Sequence, residues 1–233
     1  MSAPVSYQLD DDIATITLDD GKVNVLSLET QGHLRDAFDR AESDGAKAVV
    51  LAGNAKVFSA GFDLAVFQSG DRQASIDMLN GGFELTLRML TFPRPIVVAQ
   101  TGAAVAMGAF VLLAGDHRVG AAKHKIQAIE VAIGMTMPFA ALEIMKLRLT
   151  RAAFQRAVGL ASVYRGDAAV AAGWVDELTE PENVRTRAAE VAKELSALPT
   201  TAHLQSKLRA REEALAGIRH GIEIMDSEFE FQP

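Results

Sequence analysis

The 233-residue chain has no cysteine, which excludes disulfides and thiolate-held zinc. It also lacks an excess of positive charge: 23 Lys and Arg stand against 30 Asp and Glu, a net charge of −7. General nucleic-acid binding needs a basic face, so this balance argues against it. Its five histidines (His33, His117, His124, His203 and His220) show no metal-ligand spacing, and no metal is expected. No G-x-G-x-x-G follows a strand and there is no Walker A sequence, which removes the usual nucleotide-phosphate signals. A nucleophile elbow is missing too, because Ser59 lies in KVFSAG, without the first glycine that motif requires. The first residues, MSAPVSYQLDDDIAT, lack the basic flank and apolar run of a signal peptide, so a cytoplasmic location is the default expectation.

One uncharged run, Ile96 to Gly115, is twenty residues long, enough to span a bilayer. It is rich in Ala and Gly, contains Gln100, Thr101 and Gly102 in succession, and has no aromatic belt. A buried strand, a tight turn and a buried helix explain it better, and no membrane association is expected.

The residues that are present alternate between two periodicities. VSYQL and DIATITL read as strands, and Ser27 reads as the N-cap of a helix to about Ser43 with Leu28, Leu34, Ala37, Phe38 and Ala41 on one face. Lys47–Gly53 is a short apolar strand of the kind buried on both faces of a parallel sheet. A polar segment around 69–75 precedes a helix from about Ile76 to Leu90, which Pro93 and Pro95 end before the strand IVVA. A similar unit follows, with a helix over 106–114, the strand DHRVGA and a helix from about Pro138. Thr150 and Asp167 are read as caps of two further helices, and Gly173 as the end of the second. WVDEL is a last short strand, and from Pro181 the chain is charged and helical. The fold class is therefore α/β, with a core over 1–180 and a helical region over 181–233.

Three features carry chemistry. Ile126–Leu142 holds a single charge, Glu130, in seventeen residues. A carboxylate in apolar surroundings is pushed toward a neutral pKa, where it can accept and return a proton; the alternative is a Glu on the wet face of a helix. Phe58–Leu64, FSAGFDL, leaves an apolar strand at a glycine that can expose successive N–H groups. TGAAVAMGAF makes a second strand-to-helix turn with free N–H groups at a helix start. Two such turns, if they converge, form an oxyanion hole for a developing enolate.

KVNVLSLE, VFSAGFDL, TGAAVAMGAFVLLAGDHRV, IEVAIGM and GDAAVAAGWVDEL, in this order, resemble the crotonase (enoyl-CoA hydratase/isomerase) superfamily over nearly the whole chain. The resemblance implies a crotonase-like spiral of ββα units whose C-terminal helices mediate trimerisation, as a homotrimer or a dimer of trimers. It implies an acyl-CoA thioester substrate and no separate cofactor, coenzyme A being part of the substrate. The oxyanion donors would be the N–H groups of Phe62 and Met107. Coenzyme A would lie along Lys22, Val23 and the loop Ala60, Gly61, Phe62, Asp63 and Leu64. Of the basic residues that could attract a polyanion, Lys22 is the one expected at the site. The others considered are Lys56, the His117–Arg118 and Lys123–His124–Lys125 groups, and Lys207, Arg209 and Arg211. The acyl pocket would include Met107, Phe110 and Met135.

Hydratases of the superfamily use two glutamates to handle a water molecule. The second position is Glu130, but the first is Phe110. One carboxylate beside a Phe cannot hold the water in the same way, whereas a single base can move a proton from C2 to C4 of a 3-enoyl thioester. The chain looks most like the Δ3,Δ2-enoyl-CoA isomerases, with hydration or acyl-CoA binding without turnover as the alternative functions. Replacing the usual glycines by Ala106-Met107-Gly108 reshapes the second turn. Met107, Met135 and Met137 line an unusual acyl pocket or simply pack the core.

Overall fold

The computed structural model describes residues 3–228. β1 (Val5–Asp10) and β2 (Ile13–Leu18) form an antiparallel hairpin, and every later strand joins its sheet in parallel. The larger sheet adds β3 (Ala48–Ala52), β5 (Ile96–Ala99), β7 (His117–Gly120) and β9 (Glu177–Leu178), in the order β1-β2-β3-β5-β7-β9. A smaller parallel sheet takes the strand that follows each of three of these: β4 (Val57–Ser59), β6 (Ala103–Val105) and β8 (Ile126–Gln127). Each turn of chain thus gives one strand to each sheet and then a helix, and the repetition is a spiral of ββα units.

The helices after these strand pairs are α2 (Leu64–Gln68) and α3 (Arg72–Thr91), then α4 (Met107–Leu113), then α5 (Phe139–Arg148) and α6 (Arg151–Leu160). The run Ile96–Gly115 is therefore strand, turn, short strand and short helix, and among the described residues no helix is long and apolar enough to cross a membrane. α1 (Leu28–Ser43) begins where Ser27 accepts the Thr30 N–H at 3.2 Å. Thr150 caps α6 in the same way, on Ala153.

Three local expectations are corrected. Leu28 is exposed, and Thr30 and Gln31 take its place on the buried face of α1, Gln31 donating to the Leu26 and Met78 carbonyls. α3 starts at Arg72 rather than Ile76, because Asp71 accepts the Ala74 N–H at 3.0 Å and the polar first turn faces water. Asp167 lies inside α7 (Gly166–Ala172), in its first turn, and Arg165 occupies the cap position. A carboxylate there still favours the helix start through the macrodipole.

β3 shows why the central strands read as continuous apolar runs. Val49 and Leu51 enter the main core, while Ala48, Val50 and Ala52 enter a second core on the other face. That second core is closed by Val184, Ala188, Val191 and Ala192 of α8 (Val184–Leu195). A 3-10 turn, Pro181–Asn183, leads into α8, whose buried residues pack on strands of the larger sheet. α9 (Thr200–Ala210) and α10 (Glu212–Glu223) follow, α10 lying on α3 and α5. Residues 229–233 of the expected 181–233 region lie outside the described residues.

A buried charge cluster fixes these helices. Asp116 accepts from Lys207 Nζ at 2.8 Å, from Arg211 Nη2 at 2.7 Å and from the Ile96 N–H at 2.9 Å. Lys207 also donates to the Phe92 carbonyl and Arg211 to the Leu90 carbonyl, both at 3.0 Å, closing the end of α3. Lys207 and Arg211, considered from the sequence as charges for a polyanion, are instead buried structural ties.

Candidate active site

The three segments singled out in the sequence meet at the C-terminal ends of β4, β6 and β8, around a cavity of about 380 Å³. Its walls come from Val23 and Val25, from Ala60 and Phe62 to Leu64, from Leu79 and Phe83 of α3, from Phe110 of α4, and from Ile129, Glu130, Ile133, Met135 and Pro138. Glu130 and Asp63 are the two carboxylates in the lining. Asp63 is committed elsewhere, since its Oδ1 accepts the Ala65 N–H at 3.0 Å as the cap of α2.

Glu130 opens a single 3-10 turn, Glu130–Ile133, which ends at Gly134 in the left-handed region. Its side chain is only 6% exposed, which removes the wet-face reading. Its Oε2 has no hydrogen-bond partner among the described residues. Burial pushes its pKa up from 4.5 to about 7, against the smaller opposing pull of the backbone N–H groups of Glu130 and Ile129.

The two donor turns abut. Gly61 has φ +93°, and a Cβ added there would lie 2.8 Å from Ala106 Cβ and 3.1 Å from Met107 N. No side chain larger than hydrogen fits that approach. Neither the Phe62 nor the Met107 N–H has a hydrogen-bond partner among the described residues. The first turn is braced by Ser59, whose Oγ donates to the Asn24 carbonyl at 2.7 Å and accepts the Gly61 N–H at 3.1 Å. Ser59 is thus a structural hydroxyl. The second turn is strained, because Ala106 sits at φ +49°, ψ −129°, a conformation that suits glycine. Ala106→Gly should therefore raise the unfolding free energy by about 1 kcal/mol. Urea denaturation checks this, and a loss of stability would contradict the strain.

Of the sequence-predicted residues, Val23, Ala60, Phe62, Asp63, Leu64, Phe110, Glu130 and Met135 line the cavity together. Gly61 lies behind the lining, and Lys22 is exposed next to Val23. Met107 and Met137 are buried in the core; the Met107 side chain faces Gly82 and is not among the residues lining the cavity. His117 and Arg118 pair with Glu177 and Asp176, far from any free role as counter-charges. Lys56, Lys123 and Lys125 lie at the other end of the small sheet, beside the starts of its strands.

Several site residues escaped the sequence reading. Phe83 stacks on Phe110, with centroids 6.1 Å apart and planes at 25°, and Phe67 meets Phe62 edge-on at 6.2 Å. A signal for this wall was present in the Gly81-Gly82 pair inside α3, unfavourable for a helix unless something approaches closely. A Cβ on Gly82 would lie 2.6 Å from the Phe62 ring, and one on Gly81 2.2 Å from Gln31 Oε1. Asn24 was also missed. It is 1% exposed, has φ +56°, and its Nδ2 donates to the Leu18, Val57 and Phe58 carbonyls at 3.1, 3.2 and 3.1 Å. It therefore ties the Lys22–Val25 loop to β4. Asn24→Ala should cost about 2–4 kcal/mol in chemical denaturation, since it orphans several buried carbonyls at once.

A sequence profile described as enoyl-CoA hydratase/isomerase matches residues 8–223. An apo enoyl-CoA isomerase structure from Mycobacterium tuberculosis is 54% identical with a TM-score of 0.96, covering 98% of this chain and 100% of that one. A structure described as an enoyl-CoA hydratase from Mycobacterium marinum is 53% identical with a TM-score of 0.95, covering 97% and 100%. Among curated proteins, a probable enoyl-CoA hydratase of Bacillus subtilis is 27% identical over 197 residues, which is 81% of this chain and 76% of that protein.

Proposed function

The chain belongs to the enoyl-CoA hydratase/isomerase family, and on that footing we propose that it isomerises 3-enoyl-CoA to 2-enoyl-CoA with Glu130 as the proton shuttle. The observation that carries this reading is the cavity's single uncommitted carboxylate, with Phe110 packed on Phe83 in place of a second one. The thioester oxygen is read as lying between the free N–H groups of Phe62 and Met107. There the growing negative charge of the enolate is stabilised by donors already fixed in place. Ionised Glu130 takes a proton from C2, and the C2–H electron pair passes into the thioester as a dienolate. When the conjugate acid returns the proton to C4, the C3–C4 π pair forms the new C4–H bond, the C1–C2 pair closes C2–C3 and the oxygen restores its carbonyl. A pKa near 7 suits both halves of that exchange at neutral pH. The aromatic wall keeps water from the dienolate. Coenzyme A is read as running outward past Val23 and the 60–64 loop, with Lys22 at the surface.

The relatives carry both isomerase and hydratase names, so the deciding experiment offers both substrates. Incubation with a 3-enoyl-CoA should give the conjugated 2-enoyl thioester, seen by its ultraviolet absorbance, while crotonyl-CoA should give far less 3-hydroxyacyl-CoA. Faster hydration than isomerisation would favour the hydratase, and tight acyl-CoA binding with neither product would leave a binding protein. Assembly as a trimer, or a pair of trimers, belongs to the same proposal and is checked by analytical ultracentrifugation.

A further inference from the structure

At the opposite end of the small sheet from Glu130 lies a larger cleft, of about 840 Å³. Its floor is the start of β4 and β6, where Gly102 lets two backbones close in: a Cβ there would lie 2.3 Å from the Lys56 carbonyl oxygen. Around it stand Lys56, Lys123, Lys125, Arg165 and Arg185, against one carboxylate, Glu182. In a chain of net charge −7 this local sign reversal is the opposite of the average surface. None of the five cations forms an ion pair with a carboxylate among the described residues. Arg185 is nevertheless held in place, by the Gly53 carbonyl and by Thr17 Oγ1.

A second feature is independent of the charges. Thr101, part of the lining, is 8% exposed, and its hydroxyl has no hydrogen-bond partner among the described residues. A buried hydroxyl left unpaired costs free energy that a ligand oxygen would recover. Next to it His124 is buried, with Nδ1 2.7 Å from the Gln100 carbonyl oxygen. Burial and neighbouring Lys123 hold its pKa below the usual value.

We propose that this cleft binds a phosphate-bearing small molecule, separately from the acyl-thioester cavity. Two arginines and three lysines from four stretches of chain suit a multiply charged phosphate better than a lone carboxylate. Arginine forks take two phosphate oxygens at once, and lysines add point charge. The Thr101 hydroxyl supplies a neutral donor at the base of the cleft.

The test is calorimetric titration of the full chain with inorganic pyrophosphate, alone and with saturating coenzyme A. The expected result is saturable binding that weakens as sodium chloride rises and is indifferent to coenzyme A. In Lys123→Ala/Arg165→Ala, which alters two exposed side chains and leaves the fold's hydrogen bonds intact, affinity should drop by about tenfold or more. Thr101→Val should show a smaller loss in the same direction. No saturable binding up to about millimolar pyrophosphate would overturn the proposal. Displacement by coenzyme A, or equal binding by the double variant, would overturn it as well.

Discussion

Glu130→Gln is expected to lower the rate of 3-enoyl-CoA isomerisation by about 10²–10⁴-fold, the range by which a positioned acid–base group contributes. Binding of the thioester should hardly change, because the amide keeps the shape of the side chain and the two donor turns are untouched. Wild-type kcat/KM should rise with pH through about 7 and level off above it, since the free enzyme must carry Glu130 ionised to remove the C2 proton. A flat profile between pH 6 and pH 8 would count against Glu130 as the base.

The same substitution should make the protein more stable at alkaline pH. The folded-state pKa of Glu130 is raised above the unfolded value of 4.5, to about 7. Folding therefore favours the protonated form, and its contribution is present below 4.5 and lost as pH rises through about 7. A glutamine, neutral at every pH, escapes that loss. Glu130→Gln should match the wild type near pH 5 and exceed it by about 1–3 kcal/mol at pH 8 and above. A residue that costs stability while making a reaction possible is the pattern expected of a functional site.

The second large effect is structural. Asp116→Asn should destabilise the fold by about 3–5 kcal/mol, lowering the thermal midpoint by roughly 6–20 °C. Asp116 is the carboxylate that Lys207 and Arg211 share, and both cations are buried against it. Without it two desolvated charges face each other, with half-buried Arg148 close by. Burial already draws Lys207 down to about 8 even with Asp116 in place, a sign of how poorly the site tolerates more positive charge. The Asp116 carboxyl is held below 3.8 by these partners, so its contribution is present above that value and fades as pH falls through the lower folded value. A loss under about 1 kcal/mol would show that α9 and α10 are held by apolar packing alone.

What could be read from the residues themselves was whatever is local. Ser27 and Thr150 cap helices because a hydroxyl before an apolar-periodic run has one favourable use. The apolar segments 48–52 and 96–99 announced buried parallel strands. Glu130 stood out because a lone charge in an apolar run has few outcomes. The errors come from competition that one segment does not reveal. Asp71 could have been a loop residue until Ala74 was placed to donate to it. Leu28 fits the helical period of α1, but the hydrogen bonds of Gln31 rotate the buried face away from it. Lys207 and Arg211 look like surface charges in sequence, and only the tertiary position of Asp116, 91 and 95 residues earlier, shows otherwise. At the site, Gly81-Gly82 and Asn24 held information that becomes legible once Phe62 and β4 are in place.

The account rests on one carboxylate moving one proton inside a dry cavity, and an isotope measurement addresses that directly. A 3-enoyl-CoA deuterated at both C2 hydrogens is converted in ordinary water, and the 2-enoyl product is analysed by mass spectrometry and NMR. A single shuttling base shielded from water should deliver a measurable share of the abstracted deuterium to C4. Product with no deuterium at C4, accompanied by 3-hydroxyacyl-CoA as the main species, would mean that water reaches the reacting carbons, and would contradict the single-base account.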